Sequence, residues 1–446
     1  MDNLKTIRWD SIFILHELQQ FLDKSGLAEI SLLNRLLRDK LKYKVMSSMF
    51  LGNTFLSEIV GYFNQPELIS RDIKSSSSTI SNFKCLIIDP IVEKLIRELC
   101  SYSSYLKCLK FSNLRELGYF IIPQISILNQ LASLTLSDCH LSIRDFFSLL
   151  YKLEKLECLK LCEVVLILSQ EETITEYDKP PPSTLKELTL YTTYFTATDS
   201  TNNPRDFIFN YNSGLDVLIY YFQLQHLPKL IKFNLHSVDY GVAYIANFLS
   251  LNPQLTHVKL PFEYFGLDYI QILSDHDNIN SIEIDTSDTS PHYPSDVTLP
   301  YLHSINSLTI NLYRDIEHSE IYDIIGACPN LTKLNISFYT YNSEFMTNVL
   351  KGLNLIYLKL KIEIMPSNNL DMSIFSDIKI INIEHNNIYS INYDLPTPPM
   401  KTKSIKISEN YKHSIIYNSK KESYERHANW KTILSNYNIK LLYNDI

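Results

Sequence analysis

The chain has 446 residues, of which 45% are hydrophobic and 20% charged. That hydrophobic share suffices for a sizeable core and excludes wholesale disorder. With 41 Lys+Arg against 49 Asp+Glu the net charge is -8, the wrong sign for a general polyanion binder, so no nucleic-acid partner is expected. The 9 Gly are widely dispersed, and the closest pair, Gly52 and Gly61, is nine residues apart. No phosphate-cradling loop, dinucleotide-binding turn or nucleophile elbow can be assembled from them.

The chain opens on MDNLKTIRWDSIF, which carries charges where a signal peptide needs an apolar core. No run approaches the ~18 apolar residues of a membrane span. The 7 Cys are scattered without any CxxC spacing, as in a reducing compartment. An intracellular location, cytoplasmic or nuclear, and no membrane partner are therefore expected.

The segment WDSIFILHELQQFLDKSGLAEISLLNRLLRDKLKYKV reads as helical throughout. Ile14, Leu15, Leu18 and Leu22 fall on one apolar face, and Leu27, Ile30, Leu33, Leu37 and Leu41 on a second. Asp10 or Ser11 is placed to cap the first helix, and Gly26 lies near the break between the two.

Beyond Asn82 a short frame recurs, with aliphatic residues at positions one, four and six. It is clearest in LASLTLSDCHL, LECLKL, LKELTL and LTKLNISFY. The position-four residues are Leu86, Leu109, Leu134, Leu159, Leu188, Phe233, Val258, Ile282, Leu308, Leu334, Leu358, Ile381 and Ile405. Their spacing is 23 to 29 residues except for one interval of 45, between Leu188 and Phe233, where PRDFIF offers a degenerate copy. Cys139 and Asn386 stand at position nine of their repeats, and Leu141 and Ile388 at position eleven. Between the frames the apolar period lengthens to that of a helix, as at Ile143, Phe146, Phe147, Leu150 and Leu153. The same spacing recurs at Val242, Ile245, Ala246 and Leu249, and at Ile321, Ile324, Ile325 and Cys328. Loops are expected at Ser75–Ser78, Glu176–Thr184, Asp285–Thr298 and Asp394–Met400, which are rich in Ser, Pro and Asp. After Ile407, SYERHANWKTILSNY reads as a helix and IKLLY as a last strand.

A strand and a helix every ~25 residues around an LxxLxL frame resembles the ribonuclease-inhibitor-like class of leucine-rich repeats. The resemblance implies an α/β solenoid, a right-handed horseshoe, in which each strand stacks on the previous one in parallel. The N-terminal helices in turn resemble an F-box, the adaptor-binding motif of ubiquitin-ligase substrate receptors. Ile14, Leu15, Leu18, Leu22 and Leu27 match its aliphatic positions, and Ser31 to Arg35, with Leu33 among them, its last helix. Ser11 and Asp10 depart from the usual Pro and Leu. The order of the two parts is that of F-box/leucine-rich-repeat proteins, similar to the fungal members of the ribonuclease-inhibitor-like group. The expected organisation is a helical module over 1–52, a connection over 53–81 and the solenoid with its cap over 82–446. The resemblance implies a receptor that holds a ligase adaptor and a target protein, performs no bond chemistry, and is a monomer outside its complex. The alternative is a plain helical cap on an interaction scaffold or inhibitor that binds no adaptor.

No local His or Cys spacing supports a zinc site, and neither a cofactor nor a catalytic group is expected. Binding has a clearer address. Positions three, five and seven of each frame point away from the core, because strand side chains alternate. They include Lys160, Tyr191, Lys232, His236, His257 and Lys259. Further along the chain they include Glu283, Lys333, Tyr357, Lys359 and Lys361. Lys110, Asp285 and Asn311 occupy such positions too. Lysines outnumber acids on this face, so an acidic or phosphorylated partner segment is one expectation. The alternative is that Lys and Asn only keep an exposed sheet soluble.

Overall fold

A computed structural model describes residues 13, 19, 22–52, 77–115, 117–169, 181–198, 218–219, 224–237, 240–286, 298–312, 319–367, 369–385, 392–394, 404–409 and 439–443. The chain divides into two compact units, Met1–Leu230 and Ile231–Ile446. Among the described residues no helix is long and apolar enough to cross a membrane.

The first unit begins with helices α1 (Lys24–Leu33) and α2 (Arg35–Val45). The Asp23 side chain accepts from the Gly26 N–H and caps α1, so the chain leaves helix at Leu22–Asp23 and Gly26 lies just past that break, near it as expected. A further break falls at Asn34, whose backbone is extended and whose Oδ1 accepts from the Leu37 N–H at 2.8 Å. This corrects the single apolar face expected from Leu27 to Leu41. Leu27, Leu37 and Leu41 are buried, but Leu33 belongs to the helix before the break and is exposed.

A parallel sheet follows, from β1 (Ser48–Leu51), β2 (Cys108–Arg115), β3 (Ser133–Ser142), β4 (Cys158–Ser169) and β5 (Glu187–Leu190), in that order. Between β1 and β2 lies α3 (Ser77–Tyr102). The strand expected around Leu86 is thus part of a helix. Its downstream residues Val92, Leu95 and Leu99 are buried at helical spacing, and the i, i+3 placement of Phe83 and Leu86 suits a helix as well as a strand. Ser77 and Ser78 belong to the same helix, not to a loop.

β3 and β4 are longer than the frame. They turn at Asp138 (φ 49) and Glu163 (φ 52), which fall between the paired positions Ser137↔Cys162 and Cys139↔Val164, and the ladder continues beyond in the same register. β6 (Thr193–Thr198) continues this second ladder beside the far half of β4, and β7 (Leu218–Ile219) pairs antiparallel with β6. Cys139 is buried just after the turn with its Sγ 3.2 Å from the Ser137 carbonyl, and burial pushes its thiol up to about 12. Two helices close the other face of this sheet: α4 (Gly118–Ile121) and α5 (Ile143–Lys152). A Cβ at Gly118 would approach the His140 carbonyl to 2.8 Å, so α4 meets β3 through glycine. The α5 residues Ile143, Phe146, Phe147 and Leu150, with Leu153 beyond it, are all buried as expected.

The second unit repeats the plan with β8 (Lys232–Leu235), α6 (Val242–Leu251), β9 (His257–Pro261), α7 (Leu267–Ser274), β10 (Ser281–Asp285) and β11 (Ser307–Leu312). It continues through α8 (Ser319–Gly326), β12 (Lys333–Thr340), α9 (Ser343–Leu350), β13 (Tyr357–Ile364), β14 (Asn369–Asp371) and β15 (Ile380–His385). It ends with β16 (Asn392–Asp394), β17 (Ser404–Glu409) and β18 (Ile439–Tyr443). β8 to β13, β15, β17 and β18 stack in parallel, and β14 pairs with β16 in a separate ribbon. The β13–β15 connection therefore carries a short strand and a 3-10 turn (Ser373–Phe375) where a helix is expected. In α6 the buried face is Ile245, Phe248 and Leu249, with Val242 exposed. The PRDFIF copy, Asn386, Ile388 and the helix expected before IKLLY lie outside the described residues; IKLLY itself is β18.

Every frame residue at position four after Leu86 lies on a strand, and within each unit these residues are register partners. Leu109, Leu134, Leu159 and Leu188 align in the first unit. Phe233, Val258, Ile282, Leu308, Leu334, Leu358, Ile381 and Ile405 align in the second. One hydrogen-bond device recurs at the starts of β3 to β5 and of β9 to β13. The position-two carbonyl of one repeat accepts the N–H groups of positions two and three of the next. Asn306 O, for example, accepts from Thr332 and Lys333 at 3.0 Å each, and Lys107 O from Ala132 and Ser133 at 2.7 and 2.9 Å. A carbonyl has two lone pairs and can satisfy both donors.

The alternation has a direct test. Leu334→Ala should cost about 3 kcal/mol, the range for a buried Leu truncated within a filled core. Lys333→Ala, its exposed neighbour, should cost under about 1 kcal/mol. Urea unfolding of the two variants separates the cases, and equal losses would contradict the assigned faces.

Candidate functional site

The residues at positions three, five and seven emerge on the sheet face opposite the buried leucines, as the alternation requires. In the second unit the pairing places them in cross-strand rows. Position five gives Asn234, Lys259, Glu283, Thr309, Asn335, Lys359, Asn382 and Lys406 in order. Position seven gives Asp285, Asn311, Ser337, Lys361 and Glu384.

These rows close on themselves. Lys259 Nζ bonds Glu283 Oε1 and lies 2.9 Å from Asp285 Oδ2. His236 Nδ1 is 3.4 Å from the same Asp285 oxygen. The Asn311 side-chain amide donates to Asp285 Oδ1 at 2.7 Å and to Glu283 Oε1 at 3.2 Å. Burial alone would raise the Asp285 carboxyl, but the hydrogen bonds from His236, Asn311 and Lys259, with the Lys259 charge, bring it down to about 2. Burial alone would likewise lower the Lys259 ammonium, and its two carboxylate partners more than offset this. Further along, Lys359 pairs with Glu384 at 2.9 Å and Lys361 with Glu363 at 3.2 Å. Asn335 donates to Thr309 Oγ1, and Asn382 to the Tyr357 hydroxyl, both at 2.8 Å. Lys333 Nζ stands 5.3 Å from the Tyr357 ring centroid. Lys259, Lys359 and Lys361 on this face thus meet acids two positions or one repeat away, whereas Lys333 lies over a ring. Lys232 and His257 begin this face, half-buried and exposed.

The first unit's face differs. Its position-five row is Phe50, Lys110, Thr135, Lys160 and Thr189. Lys110 Nζ sits 5.1 Å from the Phe50 ring centroid and Lys160 Nζ 5.1 Å from that of Tyr191. Phe50 escapes a sequence reading because β1 lies ahead of the repeat frame; the only signal is the buried Leu51 beside it.

The N-terminal candidates part company. Ile14, Leu15 and Leu18 lie outside the described residues. Leu22 is half-buried and Leu27 is buried within the protein, so Leu27 is part of the local core. Leu33 is 67% exposed and stands with Leu32 at 71% and Leu36 at 45% around the α1–α2 junction. Leu32 and Leu36 are the additions that the structure brings to the sequence reading.

Among the described residues no group of three or more His, Cys, Asp or Glu is arranged to hold a metal ion. Cys328, like Cys139, is buried and its thiol is pushed up to about 12, which leaves little reactive thiolate. No protein-family model matches the chain, and no curated protein sequence matches it.

The Asp285 cluster makes a pH prediction. Its folded carboxyl is depressed, so its contribution to stability is complete above the ordinary value of about 4. That contribution is lost as pH falls through about 2. Asp285→Asn should lower stability at neutral pH by about 2 kcal/mol, the scale of hydrogen bonds to a charged group. It should also flatten the acid side of the stability profile. Urea unfolding from neutral to acidic pH checks both, and a variant profile parallel to wild type would contradict the cluster.

Proposed function

We propose that the protein is a non-enzymatic substrate receptor of a cullin-type ubiquitin ligase, built as an F-box-like helical module ahead of a leucine-rich-repeat solenoid. The N-terminal helices hold the adaptor and the polar sheet face holds the target. The observation that carries the reading is the cluster of Leu32, Leu33 and Leu36, exposed beside the buried Leu27, Leu37 and Leu41. A contiguous apolar patch on a polar surface is a docking feature. The stacked LxxLxL strands supply an extended polar face of the kind that repeat proteins use for binding. On this reading the chain positions its target, and the transfer chemistry belongs to other subunits.

A second reading, an interaction scaffold without an adaptor, is favoured by the burial of Leu27 inside the module. Pull-down of the host's ligase adaptor by the full chain separates the two. The receptor reading expects capture by the wild type and a loss of at least about ten-fold in affinity, or about 1.4 kcal/mol, for Leu33→Asp/Leu36→Asp. Both side chains are exposed, so the circular dichroism of the variant should be unchanged. Absence of capture by the folded wild-type chain would leave the scaffold.

A further inference from the structure

The helix α2 carries positive charge that its own fold leaves largely unused. It holds Arg35, Arg38, Lys40, Lys42 and Lys44 against the single acid Asp39, in a chain whose net charge is -8. Arg35 reaches Asp39 at 3.9 Å, and Lys42 Nζ lies 5.1 Å from the Tyr105 ring centroid. Arg38, Lys40 and Lys44 meet no carboxylate among the described residues; the first two are exposed and Lys44 is half-buried. Helical spacing decides which of these groups stand together. Lys40 is four residues beyond Leu36 and Lys44 four beyond Lys40, so the three follow one line along the helix, with the exposed Tyr43 beside them. Leu37 and Leu41 turn into the core instead. At the start of the line the extended backbone of Asn34 bends the chain, and Leu32 and Leu33 of α1 join Leu36 there. An apolar corner is thus followed by an aromatic and ammonium strip on one side of one helix.

We propose that this side of α2 docks on an anionic phospholipid surface, with Leu32, Leu33 and Leu36 entering the headgroup region and Lys40 and Lys44 facing the anionic headgroups. Peripheral membrane binding adds apolar insertion to electrostatic attraction, and this corner supplies both. Lysine is a compact point charge on a flexible stem, which suits a field of mobile headgroups that offers no fixed geometry. The leucines project from the junction of two helices, and a fluid surface accepts such a projection without a matching pocket. The Tyr43 ring, with its hydroxyl 3.4 Å from Gln19 Oε1, is the amphipathic kind of group that settles at a membrane–water boundary. The acidic balance of the whole chain is no obstacle. Exposed charges beyond a Debye length, about 8 Å at physiological salt, are largely screened, so the cations nearest the surface set the attraction. The expectation of no membrane partner rested on the lack of a spanning segment, which peripheral docking does not need.

The inference deepens the proposed function by naming a competitor for the same corner, since a bilayer and an adaptor cannot both cover Leu33 and Leu36. Only the competition rests on the receptor reading; docking itself is measured without adaptor, so the two can fail separately. The full chain is sedimented with vesicles of phosphatidylcholine alone or of phosphatidylcholine with phosphatidylserine. The mixed vesicles should bind at least about ten-fold more tightly than the neutral ones and release the protein as salt rises. Leu33→Asp/Leu36→Asp and Lys40→Gln/Lys44→Gln should each lose at least about ten-fold in partitioning, with circular dichroism unchanged. Lys351→Gln, on α9 of the second unit, should bind as wild type does. The lysine variant should still capture the adaptor, and mixed vesicles should reduce capture by the wild type. No sedimentation with mixed vesicles, equal binding to neutral ones, or full binding by either double variant would overturn the docking. Binding of soluble polyglutamate without binding of vesicles would overturn it in favour of an acidic protein. Adaptor capture undiminished on the vesicles would overturn the competition.

Discussion

One backbone carbonyl per repeat sets the register on which every other feature depends. Lys107, Ala132 and Glu157 in the first unit each present an oxygen to two N–H groups of the following repeat. Ile231, Thr256, Asn280, Asn306 and Thr332 do the same in the second. The device fixes where each strand begins relative to its neighbour. A slip of one residue would turn every LxxLxL leucine outward and bury every lysine, because strand side chains alternate with a period of two. The burial of Leu308, Leu334 and Leu358 beside the exposed or half-buried Thr309, Lys333 and Tyr357 is the product of that constraint.

Register also decides the electrostatics. Lys259 meets Glu283 because the two are partners in adjacent strands, and Asp285 reaches Lys259 and His236 from the next position on the same face. The Lys359–Glu384 contact is a diagonal of the same kind. In the first unit the equivalent row places Lys110, Thr135 and Lys160 side by side, with no acid at the matching positions. The same backbone geometry therefore brings acids to Lys259, Lys359 and Lys361, while Lys110, Lys160 and Lys333 lie over aromatic rings. The distinction rests on a few side-chain identities, not on any change of scaffold.

Much of this was legible in the sequence. The frame from Leu109 to Ile405 located the strands, and the period change at Phe146 and Ile324 located helices, since both patterns record which face is buried. Other features left weaker traces. Leu86 fits a strand frame and a helix equally, and only the continuation to Val92, Leu95 and Leu99 resolves it. The α1–α2 break turns on the Asn34 side chain reaching Leu37, which a continuous apolar period conceals. The second ladder of β3 and β4 depends on left-handed backbone at Asp138 and Glu163, and glutamate gives no hint of such a turn. Charge pairing was illegible for a different reason: it needs the cross-strand register, and composition counts lysines without their partners.

The most direct test of the account is a disulfide that only the assigned register permits. Ser307 of β11 and Lys333 of β12 are register partners on the exposed face. Adjacent strands lie about 4.8 Å apart, within the Cα separation that a disulfide spans. Ser307→Cys/Lys333→Cys should close under mild oxidation, as read by peptide mass spectrometry without reduction. Ser307→Cys/Thr332→Cys, which samples a slip of one residue, should stay open. Closure of the second pair in place of the first would contradict the register, and with it both sheet faces built upon it.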